Sequence, residues 1–300
     1  MKNPLLFIAN PMRKASGFTL VELMVSVTIG LILLLFLSSL YFNSSSSSRL
    51  NDDNARIQED GRYALGIIGT NMMQAGFGNM QTGTATDFPP AAYPSLKGLT
   101  GCNHGFVLPA ATPPVCDASS TTAPAAFTTS YTSEPYYDAT NISGAGTDCS
   151  GTQAVNSTST TGGIVINSFY VSANTLYCKG NAGATPLAML SNVDDMQITY
   201  GIDNSPTSGL YAPVLSTQDA TVAGDVSNPN ANTKIGWDRV VTATVCLEIH
   251  STNTVVKNSA GQTYYKCNAT TPTTKTDGLL HTTMTRTFTL RNNATASLIN

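Results

Sequence analysis

The chain has 300 residues, a net charge of −3 and only 11% charged residues. No Lys/Arg cluster lies beyond Arg13-Lys14, so it lacks the electrostatic footprint of a nucleic-acid-binding protein. That length accommodates a membrane helix and one or two modest domains.

In chain order, Arg13 and Lys14 are followed by the small residues Ala15-Ser16-Gly17 and then by Phe18-Thr19-Leu20-Val21-Glu22. Leu23 to Ser48 carries no charged side chain, and Met24 to Phe42 is dominated by Val, Ile, Leu and Phe. A helix of about 20 such residues crosses the ~30 Å hydrocarbon core of a bilayer. The basic pair before it predicts a cytoplasmic N-terminus and an exported remainder. In a secretory signal the small-residue cleavage site follows the apolar core. Here it precedes the core, so cleavage would leave the helix on the mature chain. Glu22 does not suit a plain anchor. A carboxylate at the membrane end costs a few kcal/mol or so and marks a function or a partner.

Asn43 and the run Ser44 to Ser48 form a polar seam of weak helix formers, which leaves helix continuity across Ser38–Ser48 open. Beyond it Leu50, Ile57, Ala64, Leu65, Ile68, Met72 and Ala75 recur at helical spacing. Asp52, Asp53, Arg56, Glu59, Asp60 and Arg62 fall mostly elsewhere on the wheel, which predicts an amphipathic helix lying on a sheet. Gly76-Phe77-Gly78 ends it.

Asn79 to Gly162 is rich in Thr, Ser, Ala, Gly and Pro and lacks periodicity. Its aromatic residues, among them Phe106, Phe127 and Tyr131, exceed what a disordered linker carries. The expectation is a stapled, mostly irregular excursion with short strands. The staples are cysteines. Cys102, Cys116, Cys149, Cys178, Cys246 and Cys267 all lie on the exported side, and none is spaced as C-x-x-C, which argues against zinc and redox motifs. An even count in an oxidising compartment reads as three disulfides whose pairing spacing alone leaves open. The sequential set, Cys102–Cys116, Cys149–Cys178 and Cys246–Cys267, is the working expectation.

Period-two alternation returns in the C-terminal half. Strands are predicted over Ile164 to Val171, over Met196 to Ile202 with a turn at Asp203-Asn204, over Val241 to Ile249, and over Met284 to Leu290. Strands grouped after a helix, without interleaved helices, predict an antiparallel α+β head.

Sites for chemistry are sparse. There is no nucleophile elbow, no H-E-x-x-H and no phosphate loop, so no catalytic residue is predicted and the chain is not read as an enzyme. His104, His250 and His281 have no partner at ligand spacing and read as structural or exposed, giving no metal site and no cofactor. Asp194-Asp195 reads as a turn or strand-edge feature, because adjacent strand residues point to opposite faces. Asp52-Asp53-Asn54 lacks the rest of a calcium loop. Asn156-Ser157-Thr158 is a sequon in a Ser/Thr tract, where such triplets arise by chance.

Basic residues, Gly17, Phe18, Thr19-Leu20-x-Glu22 and an apolar helix together resemble the type IV prepilin signal. The resemblance implies that a prepilin peptidase cuts between Gly17 and Phe18 and methylates the new amine. It also implies that Glu22 pairs with the Phe18 amine of a neighbouring subunit. Met12 would begin a shorter basic leader, nearer the usual form, which leaves Met1 and Met12 both open as the start. The resemblance departs at Ser39, where many major pilins carry proline.

Asp60-Gly61-Arg62-Tyr63-Ala64-Leu65 leading to Met72-Met73-Gln74-Ala75-Gly76-Phe77 narrows the resemblance to the PilW family of minor pilins. So do Asn192 to Gly201, Arg239-Val240-Val241 and Thr285 to Asn292. The implied fold is type IV pilin-like α+β: a long N-terminal helix, half membrane and half amphipathic, on an antiparallel β-sheet head with a disulfide-stapled irregular insertion. The expected divisions are a cleaved leader over 1–17, a transmembrane and assembly helix over 18–42, and the amphipathic helix over 43–78. A variable insertion over 79–162 and the sheet head over 163–300 follow. The implied role is a structural subunit that helps initiate a type IV pilus or forms its tip, supporting pilus biogenesis and twitching. Expected partners are the prepilin peptidase, other minor pilins, the major pilin and the inner-membrane assembly platform, with a tip adhesin as a further candidate. The expected location is the inner membrane with a periplasmic head, then the pilus at the cell surface. Alternatives are a type II secretion pseudopilin, or a membrane-tethered enzyme or independent adhesin.

Overall fold

The computed structural model describes residues 17, 19–78, 97–107, 114–133, 146–152, 163–183, 185–204, 215–225, 227, 235–256 and 260–292. The chain divides into two units, Met1–Arg49 and Leu50–Asn300. One helix, α1, runs from Leu20 to Gln74 without a break. The serine seam does not interrupt it. Ser38 Oγ donates to Leu34 O and Ser39 Oγ to Phe36 O, both at 2.8 Å. The hydroxyls are thus satisfied on the helix itself rather than by competing turns.

In the first unit the apolar side chains of α1 from Leu20 to Phe42 are exposed. In the second unit α1 buries Ile57, Ala64, Leu65, Ile68 and Met72 in the core. Two positions differ from the wheel. Leu50 is exposed, while Asp53 is buried and accepts from Asn253 Nδ2 at 3.1 Å. A buried carboxylate needs such a donor. Gly76 ends the helix with a φ of +75°, the left-handed cap that glycine adopts without a Cβ penalty. Asn292 Nδ2 donates to Ala75 O at 2.9 Å, capping the helix end from the far end of the chain.

The strands are β1 (Leu99–Cys102), β2 (Ala126–Thr132), β3 (Ile164–Ser172), β4 (Thr175–Gly180), β5 (Leu187–Ser191), β6 (Val193–Asp203), β7 (Leu215–Gln218), β8 (Val240–His250), β9 (Gln262–Tyr264), β10 (Thr273–Lys275) and β11 (His281–Thr289). All described pairings are antiparallel. They build a five-stranded sheet in the order β1-β2-β3-β4-β5, a four-stranded sheet β11-β8-β6-β7 and a ribbon β10-β9. A short helix, α2 (Ala220–Ala223), is capped by Asp219. The four predicted strands correspond to β3, β6, β8 and β11, and β6 ends at Asp203.

The stretch 79–162 contributes more than an excursion. Its β1 and β2 are integral to the five-stranded sheet, and Phe127 stacks on Phe169 of β3 with ring centroids 4.9 Å apart. Both faces of β2 are largely covered, so no polar–apolar alternation marks it. The hairpin β3–β4 was also unmarked. Its turn, Ala173-Asn174, has both residues at positive φ, as a type I′ turn requires, without the Asn-Gly pair that signals one.

Three disulfides close the head: Cys102–Cys116, Cys149–Cys178 and Cys246–Cys267, with sequence separations of 14, 29 and 21. By chain entropy each is worth about 3–4 kcal/mol against the unfolded state.

Candidate assembly and processing site

The start of α1 is built by two residues that tie each other down. Glu22 N donates to Thr19 Oγ1 at 3.2 Å, and Thr19 N donates to Glu22 Oε2 at 3.5 Å. This is a capping box, which satisfies two of the amides that a helix N-terminus leaves unpaired. The Glu22 carboxylate also lies in the first turn, where the helix dipole favours negative charge. Thr-x-x-Glu is a capping signature in the sequence, and it adds a local duty to the intersubunit role expected of Glu22. Gly17 is exposed, and a Cβ built on it would meet nothing within 4 Å. Its conformation does not demand glycine either, since it is not among the positive-φ positions. Phe18 and the leader, with Met12, Arg13 and Lys14, lie outside the described residues, as does Asn156.

Along the apolar half, Ser26 and Thr28 donate to Leu23 O and Val25 O at 2.9 Å each. The helix therefore presents hydrocarbon without stranded polar groups, the condition for lying in lipid. It is long and apolar enough to cross a membrane.

A second constellation lies at one end of the four-stranded sheet and corrects the reading of the histidines as partnerless. His250 ends β8, His281 begins β11, and the two are register partners. Asp194 enters from β6, where Val193 pairs with Ile249 and Asp195 with Glu248, leaving Asp194 as the extra residue of a bulge. Its Oδ1 lies 2.9 Å from His250 Nδ1 and its Oδ2 3.0 Å from His281 Nδ1. Asp277 holds the other side of His281, with Oδ2 3.0 Å from Nε2. Asn174 Nδ2 donates to Asp194 Oδ1 at 2.7 Å, and Tyr264 stacks on the buried His281 ring. Sequence spacing hid this cluster, because the residues span 56 and 87 positions and meet only through strand pairing. His104 is not part of it. Asp195 is half-buried, and burial raises its carboxyl above the usual range against hydrogen bonds from Gln197 and Met196 N. Burial likewise raises Glu248, opposed by the Cys267 N–H.

Among known families, the chain matches the family model for Type IV Pilus-assembly protein W over residues 157–292 and the prokaryotic N-terminal methylation motif over residues 12–38. These two matches mark the chain as a type IV pilus minor pilin whose residues 157–292 are PilW-like. No curated protein matches this minor pilin in sequence. Among solved structures it is similar to a type IV-like pilin from Thermus thermophilus, at 11% identity and a TM-score of 0.40, covering 79% of this chain and 97% of the other. The family match takes in all of β3 to β6 and β8 to β11, the elements that build the His–Asp cluster. The PilW match points to a structural role, and the methylation motif with the apolar helix fits membrane anchoring and pilus association.

Proposed function

We propose that this minor pilin is cut between Gly17 and Phe18 by the prepilin peptidase and methylated on the new amine. It then waits in the inner membrane with its head in the periplasm before joining other minor pilins and the major pilin. Its role there is structural and non-catalytic: to help initiate assembly or form the tip of the pilus, and so to support twitching. The observation that carries this reading is the PilW match over 157–292 behind a methylation motif at 12–38. The absence of any conformational need for glycine at 17 supports a requirement imposed from outside, by a peptidase that must approach the backbone. The methylation motif by itself serves secretion pseudopilins equally well, and the match over the head favours the pilus. A tip adhesin is a further candidate partner.

The test is a deletion strain scored for surface pili, twitching and type II secretion. Loss of pili and twitching with intact secretion is the expected result. Loss of secretion with normal pili would assign the chain to a pseudopilus instead, and no change in any of the three would leave an independent adhesin or tethered enzyme.

A further inference from the structure

We propose that Asp194, His250 and His281 form a binding site for a divalent transition-metal ion of the zinc class, which clips together the ends of β6, β8 and β11. His281 is 3% exposed and has a carboxylate at each ring nitrogen. As a neutral imidazole that donates its Nε2–H to Asp277, His281 presents the Nδ1 lone pair to Asp194 Oδ2, itself an acceptor. Two lone pairs 3.0 Å apart need a positive species between them. The second imidazole reaches the same carboxylate through its own Nδ1. Two imidazoles and one carboxylate are the ligand set of many three-ligand zinc sites, with the fourth position left to water.

The three ligand atoms lie within 4.8 Å of one another. Donors about 2.0–2.1 Å from a tetrahedral ion stand roughly 3.3 Å apart. The observed 2.9 and 3.0 Å separations run to the two different oxygens of Asp194, so binding one ion draws both rings toward a shared centre. The outer groups are also in place. Asp277 orients His281, and Asn174 orients Asp194, as second partners do in metal centres. Imidazole donors select zinc-like ions over calcium or magnesium, which prefer all-oxygen shells. The charge balance agrees, since Asp194, Asp195, Glu248 and Asp277 gather here, four carboxylates against the cations Lys266 and Lys275.

The experiment uses the full mature chain in detergent, purified without a histidine tag and stripped with chelator. Zn2+ is titrated by calorimetry, and Co2+ is followed by visible absorption. The expected result is one ion per chain, a thermal midpoint that rises with Zn2+, and cobalt bands of a low-coordinate nitrogen–oxygen site. His250→Gln and Asp194→Asn each weaken binding at least tenfold, Asp277→Asn weakens it by about ten- to a hundredfold, and His104→Gln leaves it unchanged. Wild-type chain that takes up no Zn2+ at tens of micromolar (~10–100 μM) overturns the proposal and leaves a proton as the bridging species. Equal affinity in wild type and in His250→Gln and Asp194→Asn overturns it as well. The wild-type titration decides the matter even where a variant misfolds.

Discussion

Asn167 on β3 donates through Nδ2 to Oδ1 of Asn71 on α1 at 2.7 Å, in a site closed to solvent. The pair fixes the amphipathic half of the helix to the five-stranded sheet. The other end of each amide is also used, since Asn71 Nδ2 donates to Ile67 O and Asn167 Oδ1 accepts from Cys149 N. Asn71→Ala would strand the Asn167 donor, at a cost of about 1–3 kcal/mol. Urea unfolding followed by near-UV dichroism should show a lower midpoint with an unchanged slope; a loss below about 0.5 kcal/mol would mean that water replaces the amide.

Two of the glycines in α1, Gly66 and Gly69, should respond in opposite directions to alanine. A Cβ on Gly69 would run into the Phe288 ring, whereas a Cβ on Gly66 meets nothing within 4 Å. Gly66→Ala is expected to stabilise by about 0.5–1 kcal/mol, the helix penalty of glycine. Gly69→Ala is expected to destabilise by about 1–3 kcal/mol of overpacking, less that same gain. Thermal midpoints of the two variants moving the same way would contradict this packing.

Asp148 gives the head an acid-sensitive tie. Burial works to raise its carboxyl, but the Ser150 hydroxyl and the N–H groups of Ala182, Thr152 and Gly183 outweigh it and hold the pKa below the usual range. A folded value below the unfolded one, about 3.9, contributes stability that is fully present above that pH. The contribution is lost as pH falls through the folded value. Asp148→Asn would turn an amide against the Ala182 and Gly183 donors and cost about 1–3 kcal/mol at pH 7. The gap to wild type should narrow once the wild-type carboxyl is protonated, which urea titrations at pH 7 and near pH 2 would reveal.

Glu22 has two duties that substitution can separate. Glutamine preserves the capping box with Thr19 and loses only the charge, whereas alanine loses both. On the proposed pairing with a neighbouring Phe18 amine, Glu22→Gln and Glu22→Ala both insert normally and both fail to co-purify with other minor pilins. Wild-type incorporation of Glu22→Gln alone would reduce Glu22 to a helix cap. Thr19→Ala, which removes the cap and keeps the charge, should weaken the first turn by about 0.5–2 kcal/mol and spare incorporation.

Processing is tested one residue upstream of the mature chain. Gly17→Glu should leave an uncut precursor in the inner membrane, visible as a larger band on immunoblot. Normal-length protein from that variant would move the cleavage site elsewhere.

What the chain declares by itself is local. The basic pair, the Gly17-Phe18 boundary, Glu22 and the apolar run are contiguous, and their meaning depends on order along the chain. The strands β3, β6, β8 and β11 were legible because their alternation or β-branched content survives in a linear reading. β2 was not, because its two covered faces erase the alternation, and the β3–β4 turn was not, because Ala173 takes a positive φ against its own preference. Which cysteines pair, how Asn71 finds Asn167 and how two histidines converge on Asp194 belonged to the tertiary structure alone. Antiparallel pairing of β8 with β11 and a one-residue bulge in β6 bring these groups within bonding distance across 56 and 87 positions of sequence, and no spacing rule along the chain encodes that distance.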